Sequence, residues 1–494
     1  MNAYLGIDVG TSSAKALLMR EDGAVIATAW REYDILRRRP EYGEQNMETI
    51  WQAVKQAVGE ISSRCPSEAA RIRGISYSGQ MHGLVTVDED GKLVRDAIIW
   101  ADQRVGKEEM DAIYRQAGRE SIHEKALNDL ASGFLLCSLV WLREHEPEHY
   151  SRTAKVLLPK DYIRFRMCGK MGTDHSDASG TMAFDIRNRQ WAGEILDRLG
   201  LDRSLFPESR ESWEIAGELL SEPAREMGLK PGVPITYGGG DSLMQEIGNG
   251  VVSWEDPWIC NIGTSCSLNC AVETPVFDRK FRTNTFCHVK DSLWMLMGAS
   301  MCGGIALKWL KNQLFFMNSY DQMTAEAAGV PAGSGGLLFL PSLNGSRCPV
   351  NDPGAKGVFT GLTLEHTRAH VIRSVMEGIV YGIRESMEIF QGLGINTGRI
   401  IASGGGARGA LFRQIEADIL EREILTVEGE EQACMGAAIT AAVGTGAYPS
   451  YREACREIIR FRPERTEPIR ENVAVYRERY PVYCQMYRQT KPLF

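Results

Sequence analysis

Two distant segments that share one pattern constrain the fold more than any other feature. "YLGIDVGTSSAKALLM" at residues 4–19 and "WICNIGTSCSLNCAV" at 258–272 each run apolar, then Gly-Thr-Ser, then apolar again. Apolar runs of that length around a tight glycine turn read as β-hairpins. Their turns, Gly10-Thr11-Ser12 and Gly263-Thr264-Ser265, offer backbone N–H groups and hydroxyls of the kind that suit phosphate oxygens. Two such hairpins predict two related α/β lobes facing one anion. A chain of 494 residues has room for them, since roughly 100–200 residues make a domain.

The repeat also contains a difference. The position before the turn holds Asp8 in the first copy and Asn261 in the second. A carboxylate beside a phosphate repels it unless a cation lies between, and Mg²⁺ held by one or two carboxylates plus phosphates is the usual arrangement. Asp8 is therefore the metal-side candidate, the alternative being an Asp that only caps its own turn. Thr11 is the better phosphate contact, and Lys15 reads as snorkelling from a strand face.

A second glycine cluster raises its own question. In "ITYGGGDSLMQEIGNG", residues 235–250, Gly238, Gly239 and Gly240 precede a single acid, Asp241, at a helix start. Glycines are costly in regular structure unless the close approach they allow is used. The plain alternative makes Asp241 an N-cap. A third cluster, "RIIASGGGARGALFRQIEADIL" at 399–420, reads as strand, glycine turn at Gly404, Gly405 and Gly406 with Ala407, then helix, a fit for a nucleotide at a helix N-terminus. "GGGARG" also reads as G-x-G-x-x-G, with Glu421 or Glu423 available for the ribose of a dinucleotide; its late position in the chain weighs against that reading. "GEEQACMGAAITAAVGTGAY" at 429–448 is small-residue-rich and predicts a helix packed closely on another element at a lobe interface.

Composition excludes several classes. Net charge is −8, which argues against nucleic acid or an anionic membrane as a partner, since both need a clustered basic surface. No apolar run approaches the roughly 18 residues of a membrane span. The N-terminus lacks the basic flank and apolar region of a signal peptide, so a cytoplasmic protein is expected. The 12 cysteines show no zinc or disulfide spacing and read as reduced, mostly buried thiols.

These pieces, in this order, resemble the FGGY carbohydrate kinases of the actin-like ATPase (ribonuclease H-like) fold, and among them the xylulokinase branch. The resemblance runs along nearly the whole chain and rests on "GIDVGTSSAK", "GISYSGQMHGLV", "AIIWADQR", "VLLPKDYIRFRMCG", "TDHSDASGTM", "GGGDS", "NIGTS", "KGVFTGLT" and "SGGGAR". It implies an ATP- and Mg²⁺-dependent sugar kinase with the active-site cleft between two α/β lobes. Asp241 would be the general base that takes the proton from a sugar hydroxyl, with Asp8 and Asp241 nearest the metal. The glycines before Asp241 would clear room for the sugar and the incoming phosphoryl group. Met81 and His82, with Gln80 beside them, would contact the sugar; Trp100 would stack on it, and Asp102 would accept a hydroxyl. Gly10, Thr11, Ser12, Gly263, Thr264, Gly404, Gly405, Gly406 and Ala407 would hold the nucleotide.

Departures bear on the sugar. Ser242 follows the base where the family usually has Asn. "GSRCP" at 345–349 replaces a usual Gly-Glu-Arg-Thr-Pro, so Ser346 and Cys348 stand for an acid and a threonine, and Ser138 stands where a lysine is common. The expected substrate is a ketopentose, D-xylulose first, with L-xylulose, ribulose, another ketose or a polyol as alternatives. A non-catalytic sugar or nucleotide sensor is the reading from another class; retention of Asp8 and Asp241 opposes it. The expected organisation is 1–245 for the sugar and phosphate lobe, 246–445 for the nucleotide lobe and 446–494 for a tail of helices split by prolines. The partners are a small-molecule sugar and ATP, and a homodimer is compatible with the resemblance.

Overall fold

The computed structural model describes all 494 residues. Ala3–Val9 and Ser13–Arg20 form an antiparallel hairpin with Val9 opposite Ala14, so the turn is Gly10–Ser12. Ala3–Val9 also runs parallel to Ile72–Gly79, with Asp8 opposite Ser78. Trp258–Ile262 and Cys266–Val272 repeat the hairpin with Ile262 opposite Cys266. Trp258–Ile262 runs parallel to Arg399–Ser403, with Asn261 opposite Ser403. The two mixed sheets thus share one local plan, down to a serine facing the Asp8 or Asn261 position.

The first sheet is ordered Ile215–Glu218, Pro234–Thr236, Ile72–Gly79, Ala3–Val9, Ser13–Arg20, Val25–Glu32. The second is ordered Asn284–Cys287, Trp294–Ser300, Cys266–Val272, Trp258–Ile262, Arg399–Ser403, Glu423–Leu425. Strand alternation divides the faces. Leu5, Ile7 and Val9 enter a core with Ile50, Trp51 and Val54 of the helix Met47–Arg64, whereas Tyr4 enters a second core with Ile259, Met295 and Ile401 of the other sheet. Gly6 and Asp8 share the face of Tyr4, which looks between the lobes.

Two helices fill that interlobe layer, Asp241–Gly248 and Gln432–Gly444. Their small residues bring backbones together: a Cβ on Gly436 would lie 2.0 Å from the Met244 carbonyl oxygen, one on Gly248 1.9 Å from that of Gln432, and one on Gly6 2.0 Å from that of Cys434. The expected tight helix at a lobe interface is present. Residues of the chain's last quarter therefore lie against the first sheet.

Lys107–Ala117, Arg119–Ala126 and Leu135–His145 form a helical insert with its own core, which includes Ile113, Leu136 and Leu139. The tail divides: Tyr451, Ala454, Cys455 and Ile458 join the interlobe core, whereas Tyr476, Tyr480, Tyr483 and Met486 join the core of the second lobe. The proline split expected there is found only in part: the helices Tyr451–Ile458 and Arg470–Thr490 are separated by a stretch that holds Pro463 and Pro468, but Arg470–Thr490 is one helix with Pro481 inside it. Interior proline removes a hydrogen bond and costs about 3 kcal/mol, but Tyr476, Tyr480, Tyr483 and Met486 form one buried stripe against Tyr381 and its neighbours, and that burial carries the helix through. All cysteines are unpaired thiols, and only Cys65 and Cys484 are not buried. No helix is long and apolar enough to cross a membrane.

Candidate active site

Gly239 and Gly240 pair with Ser78 and Gly79 at the end of the Ile72–Gly79 strand, which sets Asp241 beside Asp8. Gly240 is the N-cap of the helix and Asp241 its first residue, so Asp241 is not the cap. One Asp241 oxygen, Oδ1, accepts from the Ser242 backbone N–H at 2.6 Å and from its hydroxyl at 3.3 Å. The other, Oδ2, has no protein partner. Burial, reinforced by the negative charge of Asp8, raises the Asp241 carboxyl to about 7. Asp8 is also raised, chiefly by burial, although the Ser78 hydroxyl donates to it at 2.7 Å.

The three glycines do a different job from the one expected. A Cβ on Gly238, at φ 79°, would lie 2.5 Å from the Tyr77 carbonyl oxygen; one on Gly239 would lie 2.8 Å from Val289 and 2.9 Å from Ser176 Oγ; one on Gly240 would lie 2.8 Å from Met81. The space they free is filled by the protein itself. Their role is to let the chain before Asp241 close onto its neighbours. Ser176 then holds it there: its hydroxyl accepts from the Gly240 N–H at 3.1 Å and donates to Asp174. Asp174, Asp161 and Asp177 surround the buried Lys160 ammonium, with Nζ at 2.7, 2.7 and 3.2 Å from them. These residues stand in "LLPKDY" and "TDHSDASG", but their sequence carries no sign of which glycine they anchor.

Next to the Asp241 loop, Met81 is buried against Gly240 and Gly180. His82 adopts φ 75°, a region that few residues other than glycine occupy, and its ring stacks on Phe134 with centroids 4.0 Å apart. Its Nδ1 bonds the Gly180 carbonyl at 2.6 Å, which makes Nδ1 the donor and leaves Nε2 a lone-pair acceptor. Burial lowers the His82 pKa to about 3, so the ring is neutral. Gln80 donates to Gln45 at 2.7 Å and to the Gly10 carbonyl at 3.3 Å, so it braces the first turn from within the core. Trp100 donates from Nε1 to the Thr11 hydroxyl at 2.9 Å, tying its loop to the same turn.

Asp102 corrects an expectation. Both its oxygens are taken by Arg104, and Oδ2 also accepts from the Gly43 N–H at 2.7 Å, so the fully buried carboxylate organises its own loop and has no lone pair directed at a sugar. Lys15 is likewise occupied: its ammonium lies 2.6 Å from Glu431, next to the start of the Gln432–Gly444 helix. No cation comes within ion-pair distance of Asp8 or Asp241.

The third glycine cluster lines a cavity of about 610 Å³, together with Lys15, Arg408, Arg413 and Glu431. Gly404, at φ 73°, sits where a Cβ would be 2.6 Å from Asn261 Oδ1, and Gly406 packs on Ile262. The Gly404–Ala407 turn is thereby docked on the second hairpin, whose Gly263 and Thr264 carbonyls accept from Gly304 and Gly303. Asn261 in turn donates to Gln245 at 3.1 Å, on the helix of Asp241. The dinucleotide reading loses its acids: Glu421 pairs with Arg477 and Arg384, and Glu423 with Arg465.

Comparison with known proteins settles the family. The FGGY family of carbohydrate kinases, N-terminal domain, matches residues 3–248, and the C-terminal domain of the same family matches 259–445. The chain belongs to the FGGY carbohydrate kinases. This kinase is 34% identical to the xylulose kinase of Bacillus subtilis (strain 168) over 495 residues, 100% of this chain and 98% of the relative. It is 30% identical to the gluconokinase of the same organism, over 99% of this chain and 96% of that one. A Brucella ovis protein described as a xyloylose kinase has a crystal structure that superposes with TM-score 0.92 at 30% identity, covering 100% of both chains. The kinase is therefore a two-lobed, actin-like ATP-dependent phosphotransferase with an alcohol group as acceptor, and its ligands are a sugar and ATP.

The raised Asp241 gives a pH prediction for the kinase free of nucleotide and divalent cation. Only the ionised carboxylate accepts a proton, so the competent fraction falls about tenfold per pH unit below 7 and is level above it. Asp8→Asn removes the neighbouring charge and is expected to move this titration to lower pH, burial still holding it above an ordinary Asp. Carboxylate infrared difference spectra of the two proteins check this; coincident titrations would separate Asp8 from Asp241.

Proposed function

We propose that the kinase transfers the γ-phosphate of ATP to the terminal hydroxyl of a ketopentose, with D-xylulose as the favoured substrate. The carrying observation is the unpartnered Asp241 Oδ2, near neutral in pKa, beside Asp8 and close to Met81 and His82. The sugar's terminal hydroxyl donates to Oδ2, which takes the proton as the oxygen attacks the γ-phosphorus and ADP leaves. His82 Nε2 accepts from a second hydroxyl, and Met81 walls the pocket beside Gly240. Thr11, Ser12 and the Gly263–Thr264 turn supply N–H groups to the phosphates, while the Gly10 N–H closes the first hairpin on the Ser13 carbonyl, and Gly404–Ala407 borders the nucleotide. The curated relative's name, xylulose kinase, supports the sugar class.

Two neighbouring carboxylates without a protein cation fit a divalent ion. Bound there, Mg²⁺ supplies neutralisation of the phosphate charge. Asp8 and Asp241 would hold it directly or through water. Asp8→Asn is expected to raise the Mg²⁺ concentration for half-maximal rate at least about tenfold, as loss of one charged ligand contact does. An unchanged Mg²⁺ dependence would remove Asp8 from the metal site.

The reaction is tested by ADP release with MgATP across D-xylulose, L-xylulose, D- and L-ribulose, D-fructose, glycerol and xylitol. A strong signal on D-xylulose is expected. A stronger one on another acceptor would reassign the substrate, and none above the blank on any would favour the sensor reading.

A further inference from the structure

The turn Gly10–Ser12 has its carbonyls held by side chains from outside its own hairpin. The Gly10 carbonyl accepts from the Tyr33 hydroxyl at 2.6 Å and from Gln80 Nε2 at 3.3 Å, and the Thr11 carbonyl accepts from Gln45 Nε2 at 2.6 Å. All three donors belong to the first lobe, and Tyr33, Gln45 and Gln80 are buried in it. In a trans peptide the N–H points opposite to the C=O. Drawing these two carbonyls into the lobe therefore turns the Thr11 and Ser12 N–H groups out of it, and neither has an acceptor in the protein.

The second hairpin reaches the same arrangement by another route. Its Gly263 carbonyl accepts from the Gly304 N–H at 2.7 Å, and its Thr264 carbonyl accepts from the Gly303 and Ile305 N–H groups, each at 3.1 Å. These donors open the helix Gly304–Trp309. Glycine lets the helix lie so close: a Cβ on Gly304 would be 2.7 Å from the Gly263 oxygen, and one on Gly303 2.5 Å from the Ser265 oxygen. The Thr264 and Ser265 N–H groups are turned outward in the same way. Side chains serve one lobe and backbone the other, so the folding of a hairpin does not account for the shared result. What the two turns have in common is the anion assigned to them.

In the first lobe this task fixes both amides. A carbonyl only accepts, so Thr11 takes Gln45 Nε2, which leaves Gln45 Oε1 to accept from Gln80 Nε2 at 2.7 Å. Gln80 Oε1 is then buried without a donor in the protein, a cost that folded chains ordinarily avoid. Gln45 itself lies in the short strand Glu44–Gln45, held against Ala97–Ile98, and is only 1% exposed. It acts through the turn, not on a ligand.

We infer that Gln45 is a positioning residue for phosphate binding, supported by Tyr33. It holds the Thr11–Ser12 peptide so that the Ser12 N–H is aimed outward before ATP arrives, a donor fixed in advance of the charge it meets. Without it that peptide is free to turn its carbonyl toward the phosphate and repel it. This inference rests on the reading of the turns as phosphate sites.

The test is a set of binding titrations on the full chain with MgATP, with adenosine and with D-xylulose, each alone. The parent is expected to bind MgATP more tightly than adenosine. Gln45→Met keeps the side-chain length without a donor, and is expected to weaken MgATP by about tenfold to a hundredfold, as loss of a hydrogen bond to a charged group does, with adenosine and D-xylulose at parental affinity. Tyr33→Phe is expected to show the same selectivity with a smaller loss, since Gln80 still holds the Gly10 carbonyl. Unchanged MgATP affinity in Gln45→Met would overturn the inference. Matching losses on MgATP and D-xylulose would also overturn it, because a generally loosened first lobe predicts them. A parent that binds adenosine as tightly as MgATP would remove the phosphate reading of the turns, and the inference with it. If D-xylulose does not bind, the sugar assignment fails separately, and the contrast between MgATP and adenosine in both variants still decides. If Gln45→Met does not fold, the same titrations on Tyr33→Phe decide: a loss confined to MgATP supports the inference, and no loss overturns it.

Discussion

Asp241→Asn is expected to leave the fold and nucleotide affinity in place and to lower turnover by about 10²–10⁴-fold, the contribution of a positioned general base. The substitution keeps shape and volume at the first residue of the helix Asp241–Gly248, and the amide oxygen can still accept from Ser242 as Oδ1 does now. It removes the proton acceptor. It also removes a carboxylate that is held ionised against burial and the charge of Asp8, so the variant is expected to be no less stable than the parent near pH 7. The sign follows from the raised pKa: above the ordinary carboxylate value the ionised form is disfavoured in the fold, and this cost is absent below it. Single-turnover phosphoryl transfer, nucleotide titration and thermal unfolding separate these effects. Near-parental turnover would displace Asp241 from the role of base.

Gly436→Ala is expected to be severe for a change of one methyl group. The added Cβ would lie 2.0 Å from the Met244 carbonyl oxygen and 2.9 Å from its carbon, both backbone atoms that cannot rotate away. Overpacking costs about 1–3 kcal/mol in most cores, and here two helices must part, one of which carries Asp241. A loss of at least about 3 kcal/mol in unfolding free energy, with turnover falling alongside it, is expected. Gly59→Ala is the control. Gly59 lies in the helix Met47–Arg64 with nothing within 4 Å of an added Cβ, so alanine there should stabilise by up to about 1 kcal/mol. If both variants shift the melting temperature alike, close helix packing is not what Gly436 provides.

Local pattern makes the hairpins legible, because strand alternation and glycine turns act within a dozen residues. The Asp8 and Asn261 contrast is readable for the same reason, and both positions do face the space between the lobes. What the sequence conceals is tertiary. Asp102 looks like any acid in a loop until Arg104 folds back on it. Gly238, Gly239 and Gly240 announce that something comes close, but only the pairing with Ser78 and Gly79 shows it to be the protein. Pro481 marks a break by rule, and the tyrosine stripe that overrides it lies across an interface with Tyr381.

The helix Gln432–Gly444 has a consequence for how the chain is made. It covers Gly6 and lies beside Gly74 in the first sheet, yet it is synthesised only after the whole second sheet. Until then the inner face of the first sheet, with Tyr4, Leu17 and Met19, has no cover. Emergence from the ribosome proceeds at about 5–20 residues per second, and domains ordinarily fold as they appear. Here the N-terminal part must wait, with apolar surface exposed, for a segment hundreds of residues downstream. A gene cut at the junction between the two family-matched regions would therefore yield an N-terminal fragment prone to aggregate, rescued when the C-terminal fragment is supplied in the same cell.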